Sequence, residues 1–245
     1  MTLACAARNS SPYASGRLAP GDARIFRPGG LDLTAHAIAL AQLEAGASIL
    51  DVGCGAGDTL RYLRSRGFRV VGVDPAPSAT DPAQFVARAE QLPFPDGAFH
   101  AVLAECSLSL VEDRDRALAE CARVLVEGGR LIVSDLYARQ PEAIGAARSL
   151  QGSCTAGILL RDELEASLAG AGFVVDVWED HSRALREAAA RFLFEHGSLD
   201  GLWNCGSASS AATQEAMRAV RAGYFLLIAT RRSADPEKGR NSDER

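Results

Sequence analysis

No apolar run in this 245-residue chain is long enough to span a bilayer, so a membrane-spanning protein is not expected. The opening stretch MTLACAARNSSPYASGR has no basic segment leading into an apolar one. No secretion signal is read there, and a cytoplasmic location is the expectation. Clustered basic charge is missing too. The net charge is −5 and the pI about 5.5, and Arg, which heavily outnumbers Lys, is scattered along the chain. Nucleic acid needs clustered Lys and Arg to neutralise phosphates, so no nucleic-acid partner is expected. Paired cysteines are also lacking. Cys5, Cys54, Cys106, Cys121, Cys154 and Cys205 are dispersed with no C-x-x-C, which reads as free thiols in a reducing compartment. No internal repeat is visible, and no metal site is read.

What remains is ordinary globular composition, 47% hydrophobic and 23% charged. The length suits one domain, or one domain with an insertion, with a core large enough to need no staples. Residues 1–30 read as an N-terminal arm and a closing segment, 31–232 as a single domain, and 233–245 as a disordered polar tail.

Along the chain, RPGG at Arg27–Gly30 is a turn. LDLTAHAIALAQL has helical apolar spacing, with Asp32 or Thr34 able to cap its start. ASILDV is a short buried strand that runs into glycines. DTLRYLRSRG is a helix closed by Gly67, and FRVVGVD a strand stopped by Pro75. FVARAE gives a short strand and turn, AFHAVLAEC a strand, ALAECARVL a helix and GGRLIVSDLY a strand. A helix is expected over 141–151, and a capped helix at Arg161–Glu163. GFVVDVWED is a strand, ALREAAARFLFEHG a helix and GYFLLIATR a closing strand. Residues 198–215 show little pattern and read as an insertion or lid. Alternating strands and helices imply a doubly wound α/β fold with a mainly parallel sheet.

The loop Gly53-Cys54-Gly55-Ala56-Gly57 follows a strand and opens a helix. Glycine lets the backbone turn sharply and approach a ligand closely. The helix start offers free N–H groups and a positive dipole end. Asp74, ending the next strand, can accept hydrogen bonds from a ribose diol. Glycines that merely end a strand are the plainer alternative. Strand, loop, helix and terminal acid coincide here, however, and point to a bound nucleoside. The loop is G-x-G-x-G preceded by Asp51, not the dinucleotide G-x-G-x-x-G, which moves the reading away from NAD.

LDVGCGAG resembles the first motif of class I S-adenosylmethionine-dependent methyltransferases, small-molecule (type 11-like) members. VGVDP looks like the second motif, AEQLPFPDGAF is similar to the third, and ALAECARVLVEGGRLIVSD resembles the helix, turn and fifth strand. IFRPGGLDLT looks like the segment that closes over the methionine end of the cofactor. The resemblance implies a Rossmann-like seven-stranded sheet with its last strand antiparallel. It also implies S-adenosylmethionine as cofactor, with S-adenosylhomocysteine as product. The implied cofactor residues are Arg27, Gly29, Gly30, Asp51, Gly53, Cys54, Gly55, Gly57, Asp74, Pro75, Ala89, Glu90, Glu105 and Cys106. Asp74 would be the ribose ligand, and Ala89 and Glu90 would border the adenine. Two positions depart from the pattern. His100 stands where the family usually has Asp, a change expected to affect a turn, and Glu105-Cys106 replaces small polar residues. Beyond Leu136 only the general architecture matches.

The implied chemistry is in-line methyl transfer to a small-molecule acceptor, with roughly 7–11 kcal/mol available from alignment alone. A hydroxyl or ring nitrogen would need a base, whereas a thiolate, amine or arsenic lone pair would not. Candidate bases are His181, His196 and Glu105, with an exposed or structural role as the alternative for His181 and a capping role for His196. His36 reads as a packing or surface residue and His100 as a turn residue. Cys154 and Cys205 lie in Gly/Ser-rich stretches. They could serve an arsenite-type methyltransferase, or be unrelated loop thiols. Trp203 and Tyr224 could stack on a substrate or simply pack. A cofactor-binding module without turnover is the further alternative. The oligomeric state, monomer or homodimer, is open.

Overall fold

The computed structural model describes residues 27–77, 81–150, 156–199 and 210–233. Cys5, Cys154, Cys205, Trp203, most of the expected arm and nearly all of the expected tail fall outside them.

The first helix, α1, spans Gly30–Ala41 and buries Leu33, Thr34, Ala37 and Ala41 on one stripe. Its N-cap is Gly29 at φ 77°, with no side-chain cap. The expected capping by Asp32 or Thr34 is therefore corrected, since both lie inside the helix. Strand β1 (Ser48–Val52) leads through the glycine loop into α2 (Asp58–Ser65), and β2 is Arg69–Asp74. Short β3 (Gln84–Val86) and β4 (Phe99–Glu105) follow, then a 3₁₀ turn at Leu108–Leu110. Helix α3 is Arg114–Val124, capped by Asp113, whose carboxylate accepts from the Arg116 N–H. Strand β5 runs from Leu125 to Tyr137, longer than expected.

The helix expected over 141–151 is shorter, a 3₁₀ turn at Pro141–Ala143 and then α4 at Ile144–Arg148. Helix α5 (Arg161–Gly170) starts after Leu160 with no side-chain cap, which corrects the expected capped start. Strand β6 (Phe173–Asp180) and helix α6 (Ser182–His196) match expectation. Helix α7 (Ser210–Ala219) lies where an irregular stretch was expected, so the segment read as a lid is helical from Ser210 on. Strand β7 is Gly223–Arg231.

The seven strands form one sheet in the order β3-β2-β1-β4-β5-β7-β6. β1 to β5 pair in parallel, and β7 runs antiparallel between β5 and β6. This is the expected Rossmann-like sheet with its last strand antiparallel. Strand order reverses at β1 and β4, and open α/β sheets bind ligands at the carboxyl ends beside that point.

Neighbouring residues on each strand face opposite layers, as strand geometry demands. Leu50, Val102, Leu131 and Phe225 pack on one side with Leu118 of α3 and Leu164 of α5. Ile49, Leu103, Ile132 and Tyr224 pack on the other with Leu33 of α1, Leu60 of α2 and Met217 of α7. The central strands are buried on both faces, which is why their sequences read as continuous apolar runs.

Candidate functional site

The glycine loop sits at the carboxyl end of β1. Gly53, Gly55 and Gly57 take φ of 82°, 48° and 76°, left-handed values that L side chains resist. The N–H groups of Gly53 and Cys54 both donate to the Val73 carbonyl, at 2.8 and 3.1 Å. From the far side, Ser107 Oγ donates to the Val52 carbonyl at 2.7 Å. A Cβ on Gly53 would lie 2.4 Å from Ser107 Cβ, so Ser107 closes that side of the loop. A Cβ on Gly55 would meet nothing within 4 Å, so that side is open. Gln84 Nε2 donates to the Gly55 carbonyl at 3.0 Å and fixes the turn from β3. Cys54 is buried against Gly72, where a Cβ would come within 2.6 Å of its sulfur.

Asp74 ends β2 beside the loop. Its Oδ2 accepts from the Gly55 N–H at 3.1 Å and its Oδ1 from the Ala76 N–H at 2.8 Å. Pro75 is exposed at the strand end. Ala89 is buried. Glu90 Oε1 accepts from the backbone N–H groups of Glu112 and Asp113, at 2.9 and 3.4 Å, and so shapes the entry to α3.

Above the loop lies a buried ion-pair network. Arg27 Nη2 is 2.8 Å from Glu105 Oε2. Arg27 Nη1 donates to Thr59 Oγ1 at 2.8 Å, and Nη2 also donates to Thr34 Oγ1. The two hydroxyls pass the chain on. Thr34 donates to Glu105 Oε1 at 2.8 Å and Thr59 to Glu105 Oε2 at 3.2 Å. Burial pushes the Glu105 carboxyl above its ordinary value, against the pull of Arg27, Thr34 and Thr59. Gly29 and Gly30 form the turn that carries Arg27 into α1.

Asp51, the last residue but one of β1, is only 3% exposed. Burial pushes its carboxyl up to about 8, helped by Glu105 and Asp74 and opposed by Arg27. Its Oδ2 has no hydrogen-bond partner among the described residues, and neither has Arg27 Nε. A buried acceptor and a buried donor are thus left unpaired in one electrostatically coupled cluster, an arrangement that normally calls for a ligand. An α-amino acid offers the complementary pair, an ammonium and a carboxylate. The open loop and the orphaned atoms fit the methionine end of S-adenosylmethionine.

The thiols near the site are protonated at neutral pH. Burial pushes Cys54 and Cys106 each up to about 12. Cys106, at a left-handed φ of 54°, has its sulfur 3.0 Å from the Tyr224 hydroxyl. Tyr224 is fully buried and also donates to Ser134 at 3.1 Å, so it packs inside the fold. Cys54, Cys106 and Cys121 are free, as expected.

The histidines divide. His181 lies at the start of α6 with Nε2 2.7 Å from Glu179 Oε2. His196 is the last residue of α6, whose C-cap is Gly197, and its ring packs on Phe192. His100 is not a turn residue. It lies within β4, its Nδ1 accepting from the Ser48 N–H at 3.2 Å and bonded to Ser48 Oγ at 2.7 Å, where it ties β4 to the start of β1. Thr59, Gln84 and Ser107 were not singled out from sequence, and Thr34 was read there only as a helix cap. Their only signal is a polar side chain on an otherwise apolar face or turn.

A separate cleft of about 490 Å³ opens between the 3₁₀ turn after β4, the start of α3 and residues 156–158. Asp113, Arg114, Arg148 and Glu163 line it, and the glycine-loop residues do not. Among the described residues, no helix is long and apolar enough to cross a membrane.

Residues 50–133 match a family described as a methyltransferase domain. The chain is 31% identical over 183 residues to the 27-O-demethylrifamycin SV methyltransferase of Amycolatopsis mediterranei, covering 65% of this chain and 67% of that one. It is 40% identical over 112 residues to the demethylmenaquinone methyltransferase of Thermus thermophilus, covering 40% of this chain and 51% of the relative. The chain spans about half the length of the first curated relatives it matches. Among solved structures, the [4+2]-cyclase SpnF is 27% identical with a TM-score of 0.63, covering 83% of this chain and 81% of that one. With its motifs, its sheet order and a relative matched over two thirds of its length, the chain belongs to the class I S-adenosylmethionine-dependent methyltransferases.

Proposed function

We propose that this chain transfers a methyl group from S-adenosylmethionine to a small-molecule acceptor, with residues 31–232 working as one domain. The observation that carries the proposal is the pair of orphaned buried atoms, Asp51 Oδ2 and Arg27 Nε, beside an open glycine loop. The cofactor, when bound, supplies the electrophilic methyl group. Asp51 accepts from its ammonium, and Arg27 donates to its carboxylate. Asp74 takes the ribose hydroxyls, with Pro75, Ala89 and Glu90 bordering the base. Gly53, Gly55 and Gly57 keep the backbone low enough for close approach, with Cys54 as a small buried filler between them. Gly29 and Gly30 let the chain fold back so that Arg27 reaches the site. Glu105 positions Arg27 from below, and Cys106 borders the same wall.

Alignment of the acceptor with the methyl group is the main source of rate in this reading. Glu105 is held by three donors and does not serve as the base. The relatives are named for 27-O-demethylrifamycin SV and demethylmenaquinone, in keeping with a small-molecule acceptor. The arsenite-type alternative rests on Cys154 and Cys205, which lie outside the described residues, and nothing else supports it.

Isothermal titration with S-adenosylhomocysteine tests the cofactor site, and its absence of binding would end the proposal. A second reading takes support from the cyclase SpnF, a structural relative whose named reaction is not methyl transfer. There the cofactor fold would serve another chemistry. Incubation with methyl-labelled cofactor and a broad metabolite panel separates the two. Label in any product establishes transfer, while binding without label transfer favours the second reading.

A further inference from the structure

Away from the ion-pair network, three side chains from distant parts of the chain converge. His36 lies on α1, Glu179 near the end of β6, and His181 at the start of α6. His36 Nε2 is 2.8 Å and His181 Nε2 is 2.7 Å from one oxygen, Oε2 of Glu179. All three donor atoms lie within 4.8 Å of one another. The two imidazole rings meet edge to face with centroids 5.9 Å apart, which brings the nitrogens together without stacking the rings.

The geometry points to a divalent transition-metal site made by His36 Nε2, His181 Nε2 and a Glu179 carboxylate oxygen. Two imidazoles and one carboxylate are the donor set that zinc, cobalt and nickel favour over magnesium or calcium. Three protein ligands with a free position for water are the composition of open zinc sites. The cluster is accessible, since the His36 side chain is 46% exposed and the Glu179 side chain 34%. Metal–ligand bonds of about 2.0–2.2 Å place donor atoms a little over 3 Å apart. The present nitrogen–oxygen separations therefore open by about half an ångström when an ion enters, a change these partly exposed side chains can make by rotamer adjustment. Each imidazole presents a neutral Nε2, and any proton it carried moves to Nδ1 or to solvent.

The ion's place in the fold gives it a consequence. It ties α1 to the junction of β6 and α6 at the carboxyl edge of the sheet. Helix α1 also carries Thr34, which donates to Glu105. An ion bound at His36 therefore braces the helix whose opposite face holds the Arg27–Glu105 network. It also removes His181 from the candidates for a proton-accepting base.

The test uses the full-length chain, freed of any affinity tag and stripped with a chelator. Cobalt(II) is titrated in and its visible d–d absorption followed, with zinc(II) then added to displace it. One equivalent of cobalt is expected, displaced by zinc, with the thermal midpoint rising on zinc addition. H36A, H181A and E179Q should each weaken binding by no less than the about 10- to 100-fold that even outer-sphere partners cost. H36A changes a half-exposed surface residue, and its far-UV circular dichroism should match the parent. Cobalt absorption that is absent from the parent, or unchanged in the H36A/H181A double variant, overturns the site. Failure here leaves the cofactor reading intact, because neither measurement involves S-adenosylmethionine.

Discussion

Arg27 Nη2 and Glu105 Oε2 meet at 2.8 Å, with side chains only 13% and 5% exposed. One comes from the turn before α1 and the other from the end of β4, so the contact closes the carboxyl edge of the sheet beside the glycine loop. Removing one member of a buried pair strands the other, and that cost commonly exceeds what the pair itself contributes.

R27M should therefore destabilise the fold by about 3–5 kcal/mol, the usual penalty for breaking a buried pair from one side. Pairing it with E105L, which removes the stranded carboxylate, should recover most of that loss. Urea denaturation of both variants checks the pattern. A single variant as stable as the parent would show that the pair is solvated.

Asp51 gives a pH dependence with a definite sign. In the folded chain its carboxyl titrates at about 8, against an ordinary 3.8. Between those values the folded state holds a proton that the unfolded chain has released, so stability falls as pH rises through the window. D51N abolishes this term. Its stability relative to the parent should climb steadily with pH and level off above about 8. In cofactor titration the same variant should lose about 1.5–3 kcal/mol, the worth of a hydrogen bond to a charged group. Thermal melts across pH and calorimetry read the two effects separately, and a flat melt difference would contradict the buried acid.

Gly53 and Gly55 differ in what surrounds them, which makes a paired test. G53A drives a Cβ to 2.4 Å from Ser107 Cβ at a φ of 82°, and clash and left-handed backbone together should cost about 2–5 kcal/mol of stability. G55A meets no neighbour within 4 Å and should cost only about 1–2 kcal/mol, for its left-handed backbone. Its Cβ points to the open side, so cofactor affinity should fall more than stability does. Equal losses of affinity and stability in G55A would move the cofactor off this face of the loop.

D74A should lower cofactor affinity by roughly 1.5–3 kcal/mol, as the loss of a charged acceptor for ribose hydroxyls requires. The residue also accepts from the Gly55 N–H, so some of the loss comes through the loop. D74N keeps a carbonyl acceptor at that position and should fall between parent and D74A. An unchanged dissociation constant in D74A would remove Asp74 as ribose ligand.

Local rules were enough for much of this protein. Three left-handed glycines, short apolar runs and Pro/Gly turns are set by a few neighbouring residues, so the loop, its flanking strand and helix, and the closing β7 were legible in the sequence. Helix α7 was not, because the Ser-rich, alanine-rich start of that segment hides a stripe that becomes plain only in the fold as buried Thr213, Ala216, Met217 and Val220. Thr34 reads as a cap one turn into a helix, but packing turns its hydroxyl inward to Glu105. His100 reads as a turn residue because its partner, Ser48, lies on a different strand. The same holds for Arg27 with Glu105 and for His36 with Glu179 and His181. The sequence by itself determined the glycine loop and the order of the elements apart from α7, since those depend on backbone freedom and periodicity at short range. Tertiary structure alone decided which charges meet, because the crossover connections bring together side chains whose spacing along the chain leaves no trace of their contact.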